Sequence, residues 1–147
     1  MANRKKIILI GKSGSGKTTL IQSVEKLQIA YHKTQTVQVY SQFIDTPGEY
    51  LEHRSYYNAL IVSSYDADII GLVHDCDSDD IWLPPAFASV FSKDTIGIVT
   101  KVDLAKDEHQ IQAARDHLTR AGANRTFAVS AINNLGTQDI AQYLLKT

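Results

Sequence analysis

Residues 11–18 read GKSGSGKT, which matches the pattern G-x-x-x-x-G-K-[ST]. The stretch follows a short apolar run, KKIILI at 5–10, and precedes a pattern of apolar residues with helical spacing. A strand before the motif and a helix after it form the context in which this pattern makes a phosphate-binding loop, the P-loop. A glycine- and serine-rich turn that matches by chance is the alternative, and the flanking strand and helix argue against it. The stretch therefore predicts a nucleotide-binding α/β fold.

The residue types in this loop suit phosphate chemistry. Small residues let successive backbone N–H groups curl around phosphate oxygens, and the start of the helix adds its positive dipole. Lys17 offers a positive charge to the β- and γ-phosphates, which also makes it a catalytic candidate, and Thr18 offers a hydroxyl to Mg²⁺. The predicted phosphate-binding residues are Gly11, Ser13, Gly14, Ser15, Gly16, Lys17, Thr18 and Thr19.

Further apolar runs predict the rest of the sheet. They are short, continuous and β-branched, as in strands buried on both faces of a parallel sheet; they lie at 69–73, 95–99 and 126–130. The segment TVQVYSQFID at 36–45 leaves no room for a helix and predicts a hairpin, whose first strand would run antiparallel to the others. The prediction is a doubly wound α/β domain: a six-stranded mixed sheet with one antiparallel strand and helices on both faces.

Helical patterns alternate with these runs. Leu20, Val24 and Leu27 share one face after Lys17. A second helix is predicted after Asp107, a good N-cap residue. A last helix is predicted from Thr137, which would cap it. Ligands of such folds bind at the carboxyl ends of the strands.

Length and charge limit the class of protein. The chain has 147 residues, so residues 1–147 are predicted to form a single domain. Fifteen basic residues against 16 acidic ones do not favour nucleic acid as a partner. The single cysteine, Cys76, excludes a disulfide framework and is expected to be a buried apolar residue. Because no apolar stretch approaches membrane-spanning length, no membrane partner and a cytoplasmic location are expected.

The stretch DTPG, Asp45 to Gly48, follows the second predicted hairpin strand. At a strand end beside a P-loop, Asp45 is placed to hold Mg²⁺ through a water, as the second acid of phosphate sites does. The backbone N–H of Gly48 is placed to contact a γ-phosphate. Alone, such a stretch is a common turn; its position behind the P-loop favours the functional interpretation.

The stretch TKVD, Thr100 to Asp103, follows the strand at 95–99. A carboxylate there can accept both the N1–H and the N2–H of guanine, a pair that adenine does not present, so Asp103 is predicted to select guanine. Lys101 would lay its stem over the base plane. At the end of the last strand, the backbone N–H of Ala131 in Ser130–Ala131 is placed to bond the guanine O6. A strand-end turn with solvated charges is the alternative for TKVD alone.

In this order, the P-loop, Asp-Thr-Pro-Gly, Thr-Lys-x-Asp and Ser-Ala resemble the signatures of Ras-like translation-factor GTPases. The chain is more similar still to the EutP/PduV family of ethanolamine- and propanediol-utilisation proteins, through HKTQ (32–35), IDTPGEYLEHR (44–54), ADIIGLV (67–73) and IGIVTKVDLA (96–105). The resemblance implies an association with bacterial microcompartments. It also implies a small Mg²⁺-dependent protein that binds GTP and GDP and hydrolyses GTP slowly without a partner.

The same resemblance leaves two other functions open. Members of the ethanolamine branch are described as acetate kinases that use ATP, so an ATP-dependent phosphotransferase is the first alternative. A module that binds microcompartment shells or an effector, and uses nucleotide only for stability, is the second. Asp103 discriminates among them, because it favours guanine.

Three positions depart from the GTPase pattern. Thr100 stands where asparagine is usual, which is expected to weaken the brace between the base-binding loop and the P-loop. Either Thr34 or Thr36 must serve as the second magnesium threonine, and Thr34 is preferred because Thr36 starts a predicted strand. Glu49 stands where glutamine is usual; it is a catalytic candidate, and starting a helix is the equal alternative.

Overall fold

The fold is described from a computed structural model, which covers residues 5–32, 42–78 and 83–145; of residues 28–32, 49, 52 and 54 it describes the backbone alone. A parallel sheet lies at its centre. The strands are β1 (Ile7–Ile10), β2 (Phe43–Asp45), β3 (Ile69–Asp75), β4 (Asp94–Thr100) and β5 (Arg125–Ala128). Their order across the sheet is β2-β1-β3-β4-β5, and every neighbouring pair is parallel.

Helices connect the strands. They are α1 (Lys17–His32), α2 (Glu49–Glu52), α3 (Tyr57–Ser64), α4 (Glu108–Arg120) and α5 (Thr137–Leu145), with short 3₁₀ segments at Arg54–Tyr56, Phe87–Phe91 and Val102–Leu104. None of the helices in the described ranges combines the length and the apolar character needed to cross a membrane.

The sheet is covered on both faces, as its sequence pattern requires. Successive side chains of a strand point to opposite faces, and in β1 the fully buried Ile7 and Leu9 join one apolar cluster while Ile8 and Ile10 join the other. Helices α1 and α5 supply the first cluster, and α3 and α4 supply the second. The prediction of an α/β fold with helices on both faces is therefore confirmed.

The predicted six-stranded mixed sheet is wrong: the sheet in the described part of the chain has five strands, all parallel. The second half of the predicted hairpin forms β2, which pairs parallel with β1. Its first half falls within 33–41, outside the described residues. Gln42, at the predicted turn, is buried, and its side-chain amide donates to Lys5 O at 2.9 Å and Leu144 O at 3.4 Å. Alternating β-branched residues indicated strand, but strand preference does not decide which strands pair.

The helix starts show both outcomes of sequence reasoning. Asp107 is the N-cap of α4, and its carboxylate accepts a hydrogen bond from Gln110 N at 3.0 Å, as predicted. Thr137 is the first residue of α5 and is fully buried. Its hydroxyl has no hydrogen-bond partner among the described residues, so the predicted cap is not formed. Helix α3 was not predicted.

Candidate functional site

The P-loop connects β1 to α1, at the carboxyl end of the sheet. Gly14 and Gly16 have φ angles of 81° and 97°, a backbone region that residues with a Cβ rarely adopt. Gly11 lies so close to β3 that a Cβ there would be 2.7 Å from the Val73 carbonyl oxygen. These glycines allow the chain to turn sharply between strand and helix.

Lys17 is held inside this loop. Only 7% of the residue is exposed, and its ammonium donates to Gly11 O at 2.7 Å and to Lys12 O at 3.1 Å. A positive charge is thus kept against the loop by two neutral carbonyl groups. A phosphate bound in the loop would lie next to this charge.

The two described magnesium candidates lie together. Asp45 ends β2 level with Leu9 of β1, and the Thr18 hydroxyl donates to Asp45 Oδ2 at 3.1 Å. Thr46 fixes the following turn, because its hydroxyl donates to Leu9 O at 2.7 Å. Oxygen ligands from one carboxylate and one hydroxyl fit Mg²⁺, which usually keeps several waters and completes its shell with phosphates. Within the described ranges no three His, Cys, Asp or Glu side chains form a metal-binding group. Thr34 and Thr36 lie outside the described residues.

Gly48 packs directly against the P-loop. A Cβ at this position would lie 2.1 Å from Ser13 N, so the DTPG turn closes on the loop as tightly as a glycine allows. Helix α2 begins at the next residue, Glu49. The side chain of Glu49 is outside the described part, so its predicted catalytic role stays a prediction.

The loop after β4 is joined to the P-loop at two points. The buried Thr100 hydroxyl donates to Ser15 O at 2.5 Å, and Lys101 Nζ donates to Gly14 O at 2.6 Å. We expected threonine in place of asparagine to weaken this brace. The Thr100 hydroxyl makes a direct hydrogen bond to the P-loop, and a Cβ at Gly16 would lie 3.4 Å from the Thr100 side chain, in ordinary van der Waals contact. That this brace is weaker than one made by asparagine stays a prediction.

Asp103 is oriented by the loop after β5. The Ser130 hydroxyl donates to Asp103 Oδ1 at 2.8 Å, which leaves the other carboxylate oxygen available. Ser130 and Leu135 exchange two backbone hydrogen bonds of 2.9 Å, and this bridge closes the turn that carries Ala131. Asp103 and Ala131 therefore line the same pocket.

Two adjoining cavities share this end of the sheet, with Gly16, Thr19 and Lys101 in the wall of both. The larger measures about 500 Å³; its other lining residues are Ser13, Gly14, Lys17, Thr18, Asp45, Thr46, Pro47 and Gly48. The smaller measures about 80 Å³; its other lining residues are Thr100, Asp103, Ala131 and Ile132. Three predicted residues of the described ranges line neither cavity: Gly11, Ser15 and Ser130. Each makes a hydrogen bond that holds a neighbouring loop residue, to Lys17, Thr100 and Asp103 respectively.

Sequence reasoning missed some residues at this site. Ile132 is 78% exposed and lines the smaller cavity; its place directly after Ser130–Ala131 was a usable signal. Asp75 is at the end of β3, and its Oδ2 atom lies 3.8 Å from Lys101 Nζ. The only signal for it was an acid after a buried strand.

Burial changes the acidity of two groups next to the loop after β4. It raises the pKa of the Asp75 carboxyl; a hydrogen bond with Asp77 adds to the rise, while backbone hydrogen bonding and Lys101 oppose it. Burial, together with the negative charges of Asp77 and Asp103, raises the pKa of the Cys76 thiol to about 11. Cys76 is therefore an uncharged, structural cysteine, in line with the sequence prediction.

Comparison with known proteins gives the setting of this site. The family model described as "Ethanolamine utilisation - propanediol utilisation" (PduV-EutP) matches residues 4–146. The "Propanediol utilization protein PduV" of Citrobacter freundii is 42% identical over 142 residues, which cover 95% of this chain and 93% of that protein. The "Probable acetate kinase EutP" of Escherichia coli (strain K12) is 31% identical over 143 residues, which cover 95% of this chain and 89% of that protein.

More distant matches share the domain but are longer proteins. The "GTPase Era" of Agrobacterium fabrum is 28% identical over 96% of this chain, which spans 51% of that GTPase. The apo structure of translation elongation factor SelB from Methanococcus maripaludis superposes with a TM-score of 0.68 at 16% identity, over 96% of this chain and 32% of the factor. At that identity the superposition shows a shared fold.

Proposed function

The chain belongs to the PduV-EutP family of ethanolamine- and propanediol-utilisation proteins, and we propose that it is a small guanine-nucleotide-binding protein that hydrolyses GTP slowly with Mg²⁺. The observation that carries this proposal is the placement of Asp103. Ser130 binds one oxygen of its carboxylate, and the group faces a pocket that adjoins the P-loop cavity.

Base selection follows from the donors and acceptors in this pocket. An ionised carboxylate only accepts hydrogen bonds, so it suits the N1–H and N2–H of guanine and leaves adenine without a matching edge. The backbone N–H of Ala131 is the donor we assign to the guanine O6. A polar group built to pair with a ligand discriminates strongly against analogues that leave it unpaired.

The phosphates are assigned to the larger cavity. Backbone N–H groups of residues 13–18, the Lys17 ammonium and the N-terminus of α1 are the groups that favour anions there. Thr18 and Asp45 are the residues that would hold Mg²⁺, with Thr34 as the further threonine assigned from sequence. When bound, the ion would neutralise charge on the phosphate oxygens.

Slow turnover is proposed from the residues around the γ-phosphate position. Glutamine can donate to the phosphate and accept from a water at once, whereas ionised Glu49 can only accept. Its negative charge also opposes the negative charge carried by the transferring group. Faster GTP hydrolysis would then require a partner protein that supplies an arginine or a lysine. An effector or a microcompartment shell protein is our candidate for this partner.

A phosphotransferase that acts on acetate with ATP is the second candidate. This candidate is favoured by the 31% identical relative, which is named as a probable acetate kinase. A cytoplasmic, microcompartment-associated location would suit either function. Asp103 argues against it, because ATP would leave that carboxylate without its donors.

The test is product analysis with γ-labelled GTP or ATP, Mg²⁺, and acetate present or absent. We expect slow release of inorganic phosphate from GTP at a rate that acetate does not change. The Lys17→Ala variant is the control for contaminating activity, because loss of the P-loop cation should abolish the signal. Formation of acetyl phosphate from ATP by wild type, and not by this variant, would replace the proposal with the kinase.

A further inference from the structure

Asp75, at the end of β3, lies next to the base-binding loop, and the proposed function assigns it no role. Asp75 is level with Thr100 in the β3–β4 register, and its Oδ2 lies 3.8 Å from Lys101 Nζ. Relative exposure is 23% for the Asp75 side chain and 36% for Lys101. Solvent therefore screens this pair less than it screens a pair on an open surface.

The backbone of Lys101 is fixed from the same side. Its φ and ψ of 59° and 36° lie in the left-handed region. Residues with a Cβ adopt this region at a cost and keep it only where surrounding contacts hold them there. Cys76 imposes it through two contacts: its N–H donates to Thr100 O at 3.0 Å, and its thiol donates to Lys101 O at 3.0 Å. Cys76, the residue directly after β3, thus holds the main chain of Lys101, while Asp75 faces its ammonium.

We infer that Asp75 is a positioning residue for the nucleobase, acting through Lys101; this inference rests on the proposed function. The Lys101 ammonium lies between Asp75 on one side and the P-loop carbonyl of Gly14 on the other. With both ends of its side chain fixed, the Lys101 stem extends from the base-binding loop to the P-loop, in the wall common to the two cavities. It is therefore in place before a base arrives, and the ordering of a long, flexible side chain costs no affinity on binding.

Neutralising Asp75 has two opposite effects on ligand affinity. Removing a negative charge favours every anionic ligand, with or without a base. Releasing the Lys101 side chain weakens only ligands that carry a base. The ratio of the affinities for GDP and for inorganic pyrophosphate cancels the first effect and isolates the second.

The experiment measures this ratio by isothermal titration with Mg²⁺ for wild type, Asp75→Asn and Asp66→Asn. Asp66 is an exposed acid in the turn after α3, so Asp66→Asn makes the same change of net charge without removing the partner of Lys101. We expect Asp75→Asn to lower the preference for GDP by about threefold to tenfold. Asp66→Asn should keep the wild-type ratio, and Asp75→Glu, which restores the charge, should recover part of the loss.

A wild-type ratio in folded Asp75→Asn would overturn the inference. The loss should also vanish in a Lys101→Met background, since Asp75 then has no ammonium to hold, and a loss that persists there equally contradicts the inference. If Asp75→Asn does not fold, Asp75→Glu against wild type is measured in its place, because it moves the carboxylate while keeping its charge.

Repeating the titrations with ADP separates this inference from the proposed function. If ADP binds better than GDP, the guanine assignment fails, while the effect of Asp75 is still measured on the ratio of ADP to pyrophosphate. If pyrophosphate binds as tightly as either nucleotide, Lys101 has no base to contact and the inference fails.

Discussion

Thr100→Val tests the brace between the base-binding loop and the P-loop. Valine keeps the shape of threonine and replaces its hydroxyl with a methyl group. Thr100 is 4% exposed, so the Ser15 carbonyl that loses its donor gains no water in exchange.

The size of the effect follows from that burial. A buried polar group left without its hydrogen bond costs about 1–3 kcal/mol. The methyl group of valine recovers part of this by apolar burial, so we expect the free energy of unfolding to fall by about 1–2 kcal/mol. Because the bond joins the loops assigned to base and phosphate, part of the same energy should appear in ligand affinity. Since about 1.4 kcal/mol is tenfold in affinity, the Kd for GDP should rise about threefold to tenfold.

Thr95→Val is the matched control at the other end of β4. Thr95 is 2% exposed, and its hydroxyl donates to Lys93 O at 3.1 Å, so the same substitution removes a part-buried hydrogen bond far from the site. Urea unfolding should show both variants destabilised, whereas GDP titration should show weaker binding for Thr100→Val alone. Thr100→Ser, which keeps the hydroxyl, should bind like wild type.

The reasoning is refuted if Thr100→Val binds GDP with wild-type affinity, since the brace would then have no part in preparing the site. It is also refuted if Thr95→Val loses as much affinity as Thr100→Val, because the effect would then follow from reduced stability and not from the link between the loops.

Four further predictions concern single groups. Lys17→Ala should lower nucleotide affinity by orders of magnitude with an unchanged circular dichroism spectrum, and unchanged binding would remove the P-loop assignment. Asp103→Asn should lose GDP and gain xanthosine diphosphate, because the amide can donate where the carboxylate only accepts, which competition titration measures. In single-turnover GTP hydrolysis, Glu49→Ala should stay within a few-fold of wild type, and a loss of orders of magnitude at equal affinity would make Glu49 catalytic. Burial, with His74 and Arg120 adding to it, lowers the pKa of His117 from 6.5 to about 4. Between these values the unfolded chain binds more protons, so stability should fall by up to about 3 kcal/mol as pH drops from 6.5 to 4, and His117→Gln should flatten this slope in urea unfolding.

The parts of the fold that the sequence predicts correctly are those that depend on local patterns of residues. The run at 95–99 is continuous and rich in β-branched residues, because β4 is buried on both faces between neighbouring strands. Asp107 was predicted as an N-cap because the bond it makes is to a residue three positions away. Such features depend on neighbours in the chain, which a sequence displays directly.

Contacts between distant segments were beyond the same reasoning. Thr100 and Ser15 are 85 positions apart, so the hydrogen bond between them could not be predicted from the sequence. Asp103 and Ser130 were both predicted for the base pocket, but not their bond to each other. The predicted hairpin also depended on pairing between segments: its second half forms β2, which has only three residues and pairs parallel with β1, while its first half falls within 33–41, outside the described residues.

Isothermal titration of wild type with Mg²⁺ and GTP, GDP, ATP and ADP is the most direct test of the guanine assignment. With Asp103 fixed by Ser130 at the base pocket, guanine nucleotides should bind at least about tenfold more tightly than adenine nucleotides, as expected when a buried polar group would otherwise be left unpaired. Equal or tighter binding of ATP and ADP would contradict the account and favour the ATP-dependent kinase.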